Sequence, residues 1–134
     1  MSEENLELVA RMYDLWNRGD IDAAAEMFDP EVVWHGYTHL PDSGRRDGVD
    51  EVRRWVTEFA EAWGEIGVTI ERLVEVKEDS VLALVRITGR GRDSGAAVTS
   101  DVDGHLWTIR AGKIAAVRMY QGSQEALEAA GLSE

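Results

Sequence analysis

A two-residue turn between two β-compatible runs constrains this chain more than any other feature. His105–Arg110 and Lys113–Gln121 flank Ala111-Gly112, the spacing of a tight hairpin. Such a turn sets Arg110 opposite Lys113, Ile109 opposite Ile114 and, counted on without interruption, Leu106 opposite Val117. One face then carries His105, Trp107, Ile109, Ile114, Ala116, Arg118 and Tyr120. The other carries Leu106, Thr108, Ala115, Val117, Met119 and Gln121. Neither face is plainly a solvent face, so both need cover. The chain's own helices are expected over the second face, with a cavity between. Trp107, Ile109, Ile114 and Tyr120 on the first form an apolar patch suited to a second copy, so a homodimer through the outer sheet face is expected.

The rest of the chain supplies those helices. Leu6, Val9, Tyr13 and Trp16 recur at three- and four-residue steps, predicting a helix over Glu3–Asn17 that Gly19 closes. Asp20 caps a short second helix to Phe28, stopped by Pro30. Val32–Tyr37 reads as a strand with Val33, His35 and Tyr37 on one face, and Leu40–Gly48 as a turn-rich rim or lid. A third helix runs from Asp50 to about Gly64, with Val52, Trp55, Val56, Phe59 and Trp63 as its apolar stripe. Val68–Val76 and Ser80–Gly89 form a hairpin, Ala96–Arg110 a long strand interrupted by Gly104, and Ser123 caps a last helix ending at Gly131. Helices first and a meander afterwards make an α+β domain, read as one unit over residues 1–134.

Charge and length narrow the function. The 134 residues include 26 acidic and 14 basic ones, a net charge of −12, which disfavours nucleic acid as a partner. There is no cysteine, so disulfides and thiolate metal sites are excluded. No apolar run reaches the ~20 residues of a membrane span, and the acidic N-terminus is unlike a secretory signal. A cytoplasmic protein with no membrane partner is the expectation. Five tryptophans in so short a chain suit the walls of an apolar pocket.

Asn-Arg-Gly-Asp at 17–20, Phe28 with Asp29-Pro30, and Val-Val-Trp-His at 32–35 resemble the opening of SnoaL-like proteins of the nuclear transport factor 2-like superfamily. The runs at 89–95, 107–114 and 125–132 extend the likeness over nearly the whole chain. The resemblance implies a curved antiparallel sheet wrapped around three helices, a conical cavity and frequent dimerisation. It does not imply one activity, since the fold hosts isomerases, hydrolases, cyclases and binders.

His35 is the sharpest candidate for chemistry. Ketosteroid isomerases, which the chain resembles here, hold their carboxylate base at the matching place, and a neutral imidazole suits that role. The competing reading is a histidine hydrogen-bonded within the pocket wall. Arg86 matches the arginine of limonene epoxide hydrolases, but Thr88 and Met119 stand where that family's two aspartates would be, so epoxide hydrolysis is disfavoured. The isomerase's second acid would fall at Gly104, one step from Asp103 and His105, and its helix-one tyrosine lies one position from Tyr13. Polyketide cyclases carry an acid on the last strand, where this chain has Val117 and Met119. His35, His39 and Asp42 are spaced as a weak metal set, whereas Asp101, Asp103 and His105 share the outer face.

The leading reading is therefore binding of a small, mostly apolar organic molecule, with isomerase- or cyclase-type proton transfer and no cofactor or metal. His35 is the base, Tyr37, Gln121 or Tyr13 steadies the oxyanion, and Arg86 holds an anionic group. Trp16, Phe59, Trp63, Leu84, Val117 and Met119 line the pocket. The alternatives are a non-catalytic protein that binds or senses such a ligand, and a fold acting only through its dimer face.

Overall fold

The computed structural model describes residues 2–36, 44–91 and 95–132. Four helices, α1 (Ser2–Asn17), α2 (Ile21–Ala25), α3 (Val49–Ala62) and α4 (Ser123–Ala129), accompany seven strands. The strands are β1 (Phe28–His35), β2 (Arg45–Asp47), β3 (Trp63–Lys77), β4 (Ser80–Gly91), β5 (Ala97–Thr99), β6 (Asp103–Arg110) and β7 (Lys113–Tyr120). The sheet order is β2-β1-β7-β6-β4-β3, with β5 paired to β4. All pairs are antiparallel except β1 with β7, so the sheet is mixed where a wholly antiparallel one was expected. The α+β architecture is as anticipated.

Most helices form where periodicity and caps place them. The Asp20 side chain accepts a hydrogen bond from Ala23 N–H at 3.2 Å, capping α2. Phe28, expected to end that helix, instead opens β1 as a buried residue. Trp63, expected on the α3 stripe, begins β3 opposite Gly91; its side chain lies outside the described residues. Ser123 is the first residue of α4 rather than its cap; Gly122, at φ 89°, holds that place. Arg45–Asp47 adds a short edge strand inside the expected loop, and the long strand divides into β5 and β6 around Ser100.

The hairpin turn has Ala111 and Gly112 both at positive φ, 53° and 76°, and Arg110 and Ile109 pair as expected with Lys113 and Ile114. Beyond them the register slips. Thr108 pairs with Ala116 and Leu106 with Arg118, because Ala115 is an extra residue bulged out of β7. The slip moves the β6 side chains before Ile109 to the other face relative to β7 beyond Ala115. Trp107, Ile109 and Ile114 are therefore buried, at 0%, 5% and 0% exposure, in the same core as Val117 and Met119. They are core, not the outer apolar patch expected for a dimer.

The two sides of the sheet carry two cores. The larger packs Val9, Met12 and Tyr13 of α1, Ala24 of α2 and Val52 of α3 against Trp34, Val81, Ala83, Val85, Trp107 and Val117. On the opposite side α4 lays Ala126 and Leu127 over Leu82, Leu84 and Leu106. Leu84, expected in the cavity, thus faces α4. The run Val81–Val85 is buried throughout because both of its faces are covered.

Candidate functional site

The larger core is aromatic at its centre. Trp16 lies within 6.2 Å, ring centre to ring centre, of Tyr13, Phe28, Trp34 and Trp107. Trp34 continues the cluster to Trp55 of α3, on which Phe59 stacks at 5.2 Å and 11°. Trp55 and Phe59 are half-buried, so the cluster runs from the interior to the surface of α3. A void beside Trp16, Phe28 and Val52 measures about 10 Å³, room for one water.

Inside this cluster three polar groups meet. Trp107 Nε1–H donates to the Tyr13 hydroxyl at 2.9 Å, and that hydroxyl lies 2.7 Å from His105 Nδ1. The donors run in sequence from Trp107 to Tyr13 to His105 when the imidazole carries its proton on Nε2. Tyr13 is fully buried and His105 is 2% exposed. Burial pushes the His105 pKa down to about 3, so the ring is neutral at pH 7. Asp103, on the same face two residues before His105, is also buried and accepts from Gly122 N–H at 3.1 Å.

The bulge at Ala115 is why sequence reasoning placed Asp103, His105 and Trp107 outside. One signal was available. Gly104 alternates with His105, and a strand glycine often marks the close approach of another element on its own face. A Cβ there would meet Ala126 Cβ of α4 at 2.0 Å. Gly104 faces α4, which turns its neighbours Asp103 and His105 inward.

His35 takes the opposite placement from that expected. Trp34 is 2% exposed in the core, so alternation turns His35 to the other face, paired across the strands with Arg118 and Arg45. Partial burial, then Arg118 and Arg45, lower its pKa, and Asp47 opposes them. With Arg45, Arg118, Tyr120, Gln121 and Glu125, His35 lines a groove of about 290 Å³ that Met119 reaches from the core side.

Arg86 also stays out of the interior. It shares the face of Leu84, its Nε 3.8 Å from Glu71 Oε1 and its Nη1 donating to the Ser100 carbonyl at 3.3 Å. Of the expected pocket residues, Tyr13, Trp16, Val117 and Met119 belong to the larger core, Phe59 is at its surface and Gln121 lies in the groove. Tyr37, His39 and Asp42 lie outside the described residues. Among the described residues no group of three or more histidine, aspartate or glutamate side chains is placed to hold a metal. No described helix is long and apolar enough to cross a membrane.

The mixed sheet, three helices on one face and one on the other are those of a nuclear transport factor 2-like fold. A SnoaL-like domain model matches residues 9–117, and the chain belongs to that family. A protein from Jannaschia sp. CCS1 described as a putative SnoaL-like polyketide cyclase is similar at 20% identity and TM-score 0.76, over 99% of this chain and 95% of that one. A protein of ketosteroid isomerase-like fold from Catenulispora acidiphila, solved with trimethylamine, shows 16% identity and TM-score 0.75 over 95% and 94%. TerC co-crystallised with polyporic acid shows 17% identity and TM-score 0.76 over 96% and 98%. At these identities the likeness is one of fold. No functionally curated protein matches the sequence significantly.

Proposed function

We propose that this chain binds a small, mostly apolar organic molecule at the aromatic cluster and assists an isomerase- or cyclase-type reaction on it, His105, held by Tyr13, steadying the enolate oxygen while the substrate's α-proton passes to water. The observation that carries the reading is the hydrogen-bonded Tyr13–His105 pair, 2.7 Å apart and held within aromatic side chains. With the Tyr13 hydroxyl donating to Nδ1, the neutral imidazole carries its proton on Nε2, the group that can donate to a developing oxyanion. His35, on the other face, is not assigned the base. Related folds solved with polyporic acid and trimethylamine support organic molecules as the ligand class.

The half-buried Trp55–Phe59 stack is the expected entry, with α3 moving to admit the ligand. A panel of aromatic ketones, titrated against tryptophan fluorescence, tests binding, and exchange of α-hydrogens in D₂O tests proton transfer. Tyr13→Phe, which removes the hydroxyl that fixes the His105 tautomer, is expected to slow that exchange about 10²-fold or more. If no ketone quenches fluorescence, the reading fails. A second reading, a binder without turnover, is favoured by one fact: a His105 pKa near 3 makes the ring a poor base. Saturable quenching without exchange would select it.

A further inference from the structure

The groove on the far side of Met119 is a different kind of site. Its walls come from the ends of β1 and β7, from β2 and from α4, contributing His35, Arg118, Arg45 and Glu125. Tyr120 adds apolar surface, and Gln121 a neutral amide. In a chain of net charge −12 two arginines meet here, against Glu125 and the Asp47 that pairs with Arg45. Arg45 is already engaged, its Nε 2.9 Å from Asp47 Oδ1. Arg118 has no ion-pair partner among the described residues.

We infer that this groove binds the carboxylate of an organic acid, with Arg118 as its principal anchor. A guanidinium offers a planar fork that matches a carboxylate. One unengaged arginine, partly opposed by Glu125, suits a single negative charge better than the two of a phosphate. Tyr120 then lies beside the body of the acid. The site does not depend on the proton-transfer reading, since none of its polar groups belongs to the Tyr13–His105 pair.

His35 reports occupancy. Burial and the charges of Arg118 and Arg45 hold its pKa down, while Asp47 and, across the groove, Glu125 are the acidic groups that face it. An added carboxylate favours the imidazolium, so binding raises the His35 pKa and tightens as pH falls through it.

The test uses the intact chain and the ring signals of its three histidines, with His35→Gln identifying the right one. Benzoate is expected to shift the His35 signal saturably at about 10 mM or below and to raise its pKa, whereas benzamide, the neutral isostere, does not. Arg118→Gln is expected to weaken benzoate tenfold or more, and Glu125→Gln to strengthen it. Both side chains are exposed, so the fold is expected to survive each change. Equal shifts with benzamide, or unchanged benzoate affinity in Arg118→Gln, would overturn the proposal. Saturation by inorganic phosphate but not by benzoate would also overturn it and assign the groove to phosphate.

Discussion

The hydroxyl of Tyr13 serves two buried partners at once, Trp107 Nε1–H and His105 Nδ1. Its removal leaves both without that hydrogen bond in a site water does not reach, and each unsatisfied group costs about 1–3 kcal/mol. Tyr13→Phe is therefore expected to lower unfolding free energy by about 2–4 kcal/mol in urea titrations. A loss below about 0.5 kcal/mol would show that the two groups find other partners. His105 gives the same site a pH signature. Its folded pKa, about 3, lies below the unfolded value of 6.5, so between those values the unfolded chain binds the extra proton. Stability from this group is thus full above pH 6.5 and falls as pH drops toward 3, by on the order of 1 kcal/mol per unit. Urea midpoints measured from pH 7 to pH 4 should fall more steeply in the parent chain than in His105→Gln. Parallel profiles would mean that His105 is not buried neutral.

At the scale of elements, α4 and β6 fit because position 104 has no side chain. A methyl there would lie 2.0 Å from Ala126 Cβ, so Gly104→Ala is expected to push α4 off Leu82, Leu84 and Leu106 at a cost of about 1–3 kcal/mol. Adding Ala126→Gly removes the clashing atom, leaving Ala126 Cα at 3.5 Å, and should restore most of the loss in melting temperature. Failure of that rescue would place the strain elsewhere. At the other end of the fold, Asn17 ties α1 to edge strand β3, accepting from Val68 N–H at 2.7 Å and donating to its carbonyl at 2.9 Å. These contacts also mark what was legible in the sequence. The stripe Leu6, Val9, Tyr13 and Trp16 and the Ala111-Gly112 turn are local patterns, and the structure follows both. The Ala115 bulge is not local. Ile114 N–H bonds Met27 C=O at 2.9 Å and pairs with Phe28, while Ala116 pairs with Val33, and nothing within the hairpin signals that offset. One inserted residue then exchanged the faces of His105 and Trp107, and with them the candidate site. The orientation of His35 has a simpler cause. Trp34 and His35 are adjacent, and the larger apolar side chain took the core.

The whole molecule carries 26 acidic against 14 basic residues, and the described ion pairs do little to balance that excess. Asp14–Arg18, Arg45–Asp47, Asp22–Arg53 and Glu71–Arg86 are each more than two-fifths exposed at both partners, where such pairs contribute about 0–1 kcal/mol. The remaining carboxylates repel one another over the surface, a cost the unfolded chain relieves by expanding. Salt screens both effects, but the repulsion acts over longer distances and fades first as the Debye length shortens from about 30 Å at 0.01 M to about 8 Å at 0.15 M. The melting temperature at pH 7 is therefore expected to rise by a few degrees between about 10 and 150 mM sodium chloride, then flatten. The groove adds a local exception to that trend. Binding of benzoate through Arg118 should weaken over the same range, because there the attraction is what salt screens. A melting temperature that falls with salt would mean that the surface pairs, rather than net repulsion, dominate the electrostatics of this fold.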